Sequence, residues 1–246
     1  MVRPSINEYG LDQSWMAIFY GGCVSSNKDD QIKYATRLAD SNRWDAISIR
    51  LLARTFVEKA MKHARVRPAT AAMFASKVYQ AFGSAHQDWV KYRFIYSLRY
   101  AVEDAFAKWW DTAQPMAVCV GRHIRRSDLS TAYRLLEFIA NVYDAVLITR
   151  SGLWRMVKQI MNNINVIEHF HGLRLLLLHS CGLWAEWQGR KNKEIFLKTL
   201  RTKASALPNN ASVVGATFGR RELHGLVSDI VSLVDPWESS AHLASI

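Results

Sequence analysis

Proline and glycine are scarce in this sequence, with 5 and 12 in 246 residues. A sandwich or barrel of many short strands needs one or the other at most turns, so the composition leans helical. Cysteine is scarcer still. Cys23, Cys119 and Cys181 are too few and too widely spaced for a disulfide framework, and no Cys-x-x-Cys pair exists to hold a structural zinc. A reducing compartment is expected. No stretch approaches the roughly 20 uncharged apolar residues of a membrane span; the closest run, Leu173 to Leu178, contains Arg174. The first ten residues lack the apolar core of a signal peptide, so a soluble intracellular protein is expected. Catalytic signatures are missing as well: no Walker loop, no Gly-x-Gly-x-x-Gly, no Gly-x-Ser-x-Gly and no His-Glu-x-x-His.

Acidic residues are in deficit, 21 against 32 Lys and Arg, for a formal net charge of +11. Such a balance describes partners more than fold, and it points to nucleic acid or an acidic membrane surface. Half the residues are hydrophobic, which excludes a disordered tail. The length suits one domain or two lobes sharing a core.

Apolar residues recur at three- and four-residue steps over most of the chain, the helical period. The pattern predicts helices over 29–39, 44–64, 69–82 (stopping at Gly83), 87–110, one beginning at the Ser127-Asp128 cap, 153–160, 166–178, 183–188, 192–205 and 220–234. Gly21-Gly22 and Ser151-Gly152 read as breaks, and 207–219 as a polar loop. Met116 to Val120 is the one strand-like run, read as a linker. The segment Trp15 to Tyr20 is apolar between flexible flanks. It can dock on its own core, the more ordinary outcome, or on a neighbouring subunit.

Three basic clusters stand out. The first runs from Arg43 to Arg67 and contains Arg50, Arg54, Lys59, Lys62, Arg65 and Arg67. The second joins Arg122, Arg125 and Arg126 to Arg150, Arg155 and Lys158. The third spans Arg190, Lys191 and Lys193 to Lys203, with Arg220-Arg221. Lobes facing each other could line one cleft with all three, a track for backbone phosphates. Tyr92, Tyr96 and Tyr100 lie four apart beside Arg93 and Arg99, an arrangement suited to stacking single-stranded bases or to the edge of a core. Nothing marks sequence-specific reading of a duplex, although a helix-turn-helix could fit within 44–82. His169, His171, His179 and Cys181 are metal-capable, but on one helix His169 and His171 point about 200° apart. Histidines on a helix flank beside a buried cysteine are the plainer reading.

Arg125-Arg126-Ser127-Asp128-Leu129-Ser130, followed by Tyr133-Arg134-Leu135 and Phe138-Ile139-Ala140, resembles a segment of the nucleocapsid proteins of segmented negative-strand, bunyavirus-like RNA viruses. The resemblance implies a bilobed helical protein that holds single-stranded RNA in a basic cleft and polymerises by lending its N-terminal arm to the next protomer. It implies that Arg122, Arg125 and Arg126 contact phosphates, and that Trp15, Ile18 and Phe19 fill a neighbour's groove. A viral polymerase as partner and a place in the virion and host cytoplasm follow from the same resemblance.

The expectation is an all-α chain with two helical lobes around a basic cleft: an arm over 1–27, lobes over 28–114 and 115–234, and a tail over 235–246. Its expected function is non-enzymatic binding and encapsidation of single-stranded RNA by a homo-oligomer, without metal or cofactor. The RNA-binding candidates are Arg50, Arg54, Lys62, Arg65, Arg67, Arg93, Tyr96, Arg99, Arg122, Arg125, Arg126, Arg155, Lys158, Arg190, Lys191 and Lys193. Two rival readings are a matrix-type protein binding anionic membrane and a metal-dependent enzyme built on the histidine and cysteine cluster.

Overall fold

The structure is a computed structural model of the chain and describes residues 15–41, 43–85, 88–179 and 189–234. The fold is all-α. Ten helices lie among the described residues, with no strand: α1 (Met16–Val24), α2 (Lys28–Asp40), α3 (Ala46–Lys62), α4 (Pro68–Ala85), α5 (Asp88–Trp110), α6 (Arg126–Asp144), α7 (Arg150–Asn162), α8 (Ile167–Leu177), α9 (Gly189–Ala206) and α10 (Arg220–Val234). No described helix is long and apolar enough to cross a membrane. The helix expected over 183–188 lies outside the described residues.

Side chains set several helix starts. Asn27 Oδ1 accepts from the Asp29 and Asp30 amides at 2.8 and 3.3 Å to open α2. Asp45 Oδ1 accepts from Ile47 and Ser48 at 3.0 and 2.7 Å to open α3, and the Ser48 amide foremost holds its carboxyl below the usual range. Pro68 stands at the first position of α4, where its missing N–H costs nothing.

Four expected punctuation marks fall elsewhere. Gly21 and Gly22 sit inside α1, where a Cβ on Gly22 would overlap the Phe74 ring, so this glycine permits close packing rather than a turn. Gly83 lies inside α4, which continues to Ala85. Ser151-Gly152 opens α7 instead of breaking a helix, because Thr149 Oγ1 accepts from the Gly152 amide at 3.2 Å. α6 begins at Arg126, ahead of the expected cap, with the Arg125 carbonyl accepting from the Leu129 amide at 3.0 Å.

The chain divides into two compact units, one of residues up to Asp104 with Ala145–Leu147, the other of Ala105–Asp144 and residues from Ile148 onward. The boundary falls within α5. In the first unit α4 packs on α1, α2 and α3. Trp15, Phe19, Trp44, Phe56, Phe74, Phe82 and Phe94 form one aromatic cluster with neighbouring centroids 4.8 to 6.2 Å apart. Each such buried ring contributes about 1.5–3 kcal/mol relative to exposure. The buried Gln31 amide donates to the carbonyls of Gly22, Ser25 and Thr70, tying α1 and α4 to α2.

In the second unit α8 packs on α6, α7 and α10. Gly172 on α8 lets that helix approach Trp110 and Leu136, whose atoms stand 2.8 and 3.0 Å from where a Cβ would sit. Arg174 on α8 pairs with Asp229 on α10 at 2.9 Å.

Candidate nucleic-acid interface

The outer face of α5 in the first unit carries four aromatic rings. Three- and four-residue steps place Trp89, Tyr92, Tyr96 and Tyr100 on one side, opposite Phe94, Leu98 and Val102 in the core. Their exposures are 47, 62, 65 and 58%. Large aromatics at a core edge normally hide their ring faces and leave only the hydroxyl wet; these three tyrosines expose more than half of each residue. Arg93 is exposed in the same stretch. Trp89, within the helix expected over 87–110, extends the stripe, and its three-residue step to Tyr92 is the sequence signal for it.

Arg99, three residues after Tyr96, is half-buried and engaged by the backbone. Its Nε donates to the Leu147 carbonyl at 2.8 Å, fastening Ala145–Leu147 to α5. That short segment contains Val146, a β-branched residue at φ 61°. The first basic cluster divides similarly. Arg54, Lys62, Arg65 and Arg67 are exposed, Lys59 is half-buried, and Arg50, exposed, donates from Nε to the Ala46 carbonyl of its own helix.

In the second unit Arg122, His123 and Arg125 line an open groove of about 510 Å³ with Trp109, Met116 and Asp128. Hydrogen bonds to the rest of the unit tether the loop that carries them. The Val118 amide donates to Trp109 O at 2.8 Å, Val120 N to Asn165 Oδ1 at 3.2 Å, and Ile124 N to Val213 O at 3.0 Å. Gly121 turns it at φ 78°. The expected linker over 116–120 is thus partly built into the unit, with Ala117, Val118 and Cys119 buried. Arg126 is exposed beside the groove in sequence, and Arg125 is ion-paired with Asp128.

Arg155 and Lys158 lie on α7 along a second groove of about 480 Å³ with Trp154 and Asn162. Lys158 Nζ stands 5.3 Å over the Trp154 ring, and Trp154 contacts Phe196 of α9 at 6.5 Å. Part of the third basic cluster is occupied by helix ends. Lys203 Nζ donates to Asn162 O at the end of α7 at 3.2 Å. Arg220 donates to Ala204 O and Ser205 O at the end of α9. Both cations complement the negative end of a helix dipole. Lys193 is half-buried; the Arg190 and Lys191 side chains lie outside the described residues.

Trp15 and Phe19 are fully buried in the first unit, and Ile18 is half-buried. The apolar segment therefore lies on its own core, its rings among Trp44, Phe56 and Phe74, instead of standing free for a neighbour. Residues 1–14 of the expected arm, and the expected tail, lie outside the described residues.

The described histidines of this cluster have different surroundings. His169 is fully buried against Trp110, His171 is half-buried beside Tyr133, His179 is exposed beyond the end of α8, and Cys181 lies outside the described residues. Among the described residues no three His, Cys, Asp or Glu side chains converge as metal ligands. Burial holds His169 down to about 4 and lowers His171, and it raises the Tyr133 hydroxyl, to which the Glu168 charge adds. Cys23 is likewise pushed up by burial, which makes it an inert core thiol. No protein-family model and no curated protein matches this chain.

Proposed function

We propose that this chain is a non-enzymatic protein that binds single-stranded RNA through base stacking and phosphate contacts, without reading sequence. The observation that supports the reading is the α5 stripe of Trp89, Tyr92, Tyr96 and Tyr100 with Arg93 beside it. Rings at four-residue steps are about 6 Å apart along a helix. Stacking of a base on such a ring is worth about 1–3 kcal/mol and tolerates any sequence, because every base has a π-face. The net charge of +11 supplies long-range attraction for phosphates. The choice of RNA, and of nucleocapsid-type packaging as its use, rests on the resemblance over Arg125–Ala140. Assembly through Trp15, Ile18 and Phe19 forms no part of this proposal, since two of the three fill the chain's own core.

The test is fluorescence anisotropy with a labelled oligouridine over a salt series. Replacing Tyr92, Tyr96 and Tyr100 together by Ala should weaken binding by at least about tenfold. The melting temperature should hold, because exposed positions contribute little to stability. Unchanged affinity in the triple variant, or no binding by the wild-type protein at low salt, defeats the reading.

A further inference from the structure

We propose that Glu168 is a positioning residue for the Arg122–Arg125 groove, acting through the loop over 211–213. The proposal rests on the RNA-binding reading above, since that groove is one of its phosphate sites. Glu168 stands in the first turn of α8 and is 3% exposed. Its Oε1 accepts from Ser212 Oγ at 2.5 Å and from the Val213 amide at 3.2 Å. Ser212 Oγ in turn accepts from the amides of Val214 and Ala216, both at 3.3 Å. The adjacent Ile167 amide donates to Ala211 O at 2.9 Å. One carboxylate oxygen therefore organises a five-residue turn against the start of α8.

That turn carries the Val213 carbonyl, the acceptor for the Ile124 amide. Ile124 is buried between the groove residues His123 and Arg125. Among the loop's tethers this one lies nearest Arg125, and it is reached through Glu168. A relay thus runs from Glu168 through Ser212 and Val213 to Ile124, and so to the directions of Arg122 and Arg125.

Stability alone is a poor reason for this carboxylate. Its Oε2 is buried and has no hydrogen-bond partner among the described residues. Taking a charge out of water costs several kcal/mol that its partners only partly return, and well-packed apolar residues often do as well. What it supplies specifically is a fixed position for the Ile124 end of the loop that bears Arg122, His123 and Arg125.

The test combines amide hydrogen exchange with a double-mutant cycle on the full chain, using the labelled oligouridine as probe. Glu168→Ala should speed exchange of the Ile124 amide by about tenfold or more, as a local opening does. It should weaken oligouridine binding about three- to tenfold in the wild-type background and leave it nearly unchanged when Arg122 and Arg125 are already Ala, the signature of coupled positions. Glu168→Gln, which keeps an acceptor oxygen, should restore most of both. Should Glu168→Ala fail to fold, Ser212→Ala removes one link of the relay and carries the same expectations.

Unaltered exchange at Ile124 overturns the relay whatever RNA does. Equal losses of affinity in both backgrounds also overturn it, because they mark a merely structural role. If the wild-type protein binds no oligouridine while Glu168→Ala still releases Ile124, the RNA-binding reading fails and the groove loses its ligand. The tether in that case stands without the positioning role.

Discussion

Arg125 and Asp128 meet at two points: Nε donates to Oδ2 at 2.9 Å and Nη2 to Oδ1 at 3.4 Å, on the rim of the groove that also holds Arg122 and His123. The arginine side chain is 81% exposed, so the pair contributes little to stability. Its larger effect is on the groove, where Asp128 holds a negative charge beside a cation proposed to meet phosphate. A unit charge at about 4 Å in water is worth about 1 kcal/mol. Asp128→Asn should therefore tighten oligouridine binding, by up to about fivefold at low salt. Arg125→Glu should weaken it without unfolding the chain. Anisotropy at rising salt checks both, since the gain should vanish as screening grows. Weaker binding by Asp128→Asn would mean that the pair orients Arg125 and does not merely occupy it.

Gly22 reports where α1 belongs. A methyl group there would overlap the ring of Phe74, which is fully buried and in contact with Phe19 and Phe56. Gly22→Ala should cost about 1–3 kcal/mol of overpacking and lower the melting temperature by several degrees. Because the packing lies within one chain, the loss should be the same at low and high protein concentration. A melting temperature that rises with concentration in the parent but not in the variant would tie α1 to association between copies.

The helices were legible in the sequence because their period is dictated by the core they cover. The last helix, Arg220–Val234, has the expected bounds, and the loop over 207–219 precedes it as expected. Glycine is the least legible residue. Its missing Cβ serves a turn or a close approach equally well, and only the neighbour decides: Phe74 for Gly22, Trp110 for Gly172. The site was legible as charge but not as commitment. Sequence shows that Arg99, Lys203 and Arg220 are basic; it does not show the carbonyls of Leu147, Asn162, Ala204 and Ser205 that engage them. The role of Glu168 is not legible in the sequence, although it interrupts the apolar stretch at the start of α8, because its partners Ser212 and Val213 are more than forty residues away.

His169 will set the acid limit of the second unit. Its ring is fully buried, 5.9 Å from Trp110, with Nδ1 accepting from the Asn165 amide. Burial foremost, aided by the charge of Lys203, brings its imidazole down from 6.5 to about 4. His171 is lowered for the same first reason, against the opposing charges of Glu168 and Glu222. An unfolded chain takes up a proton near 6.5, whereas the folded chain holds out until about 4. Between those values the unfolded state binds more protons, so stability falls as pH drops through this window and levels off below it. A shift of this size corresponds to about 3 kcal/mol at the lower end. Asp45, whose carboxyl the Ser48 amide holds below its ordinary range, adds stability that is lost only as pH falls further. Thermal melts from pH 7 to 4.5 should show a steady loss in the parent chain. His169→Gln, which cannot titrate, should be less stable at pH 7 yet have a distinctly shallower slope. Equal slopes would move the acid sensitivity to another group, with His171 next in line.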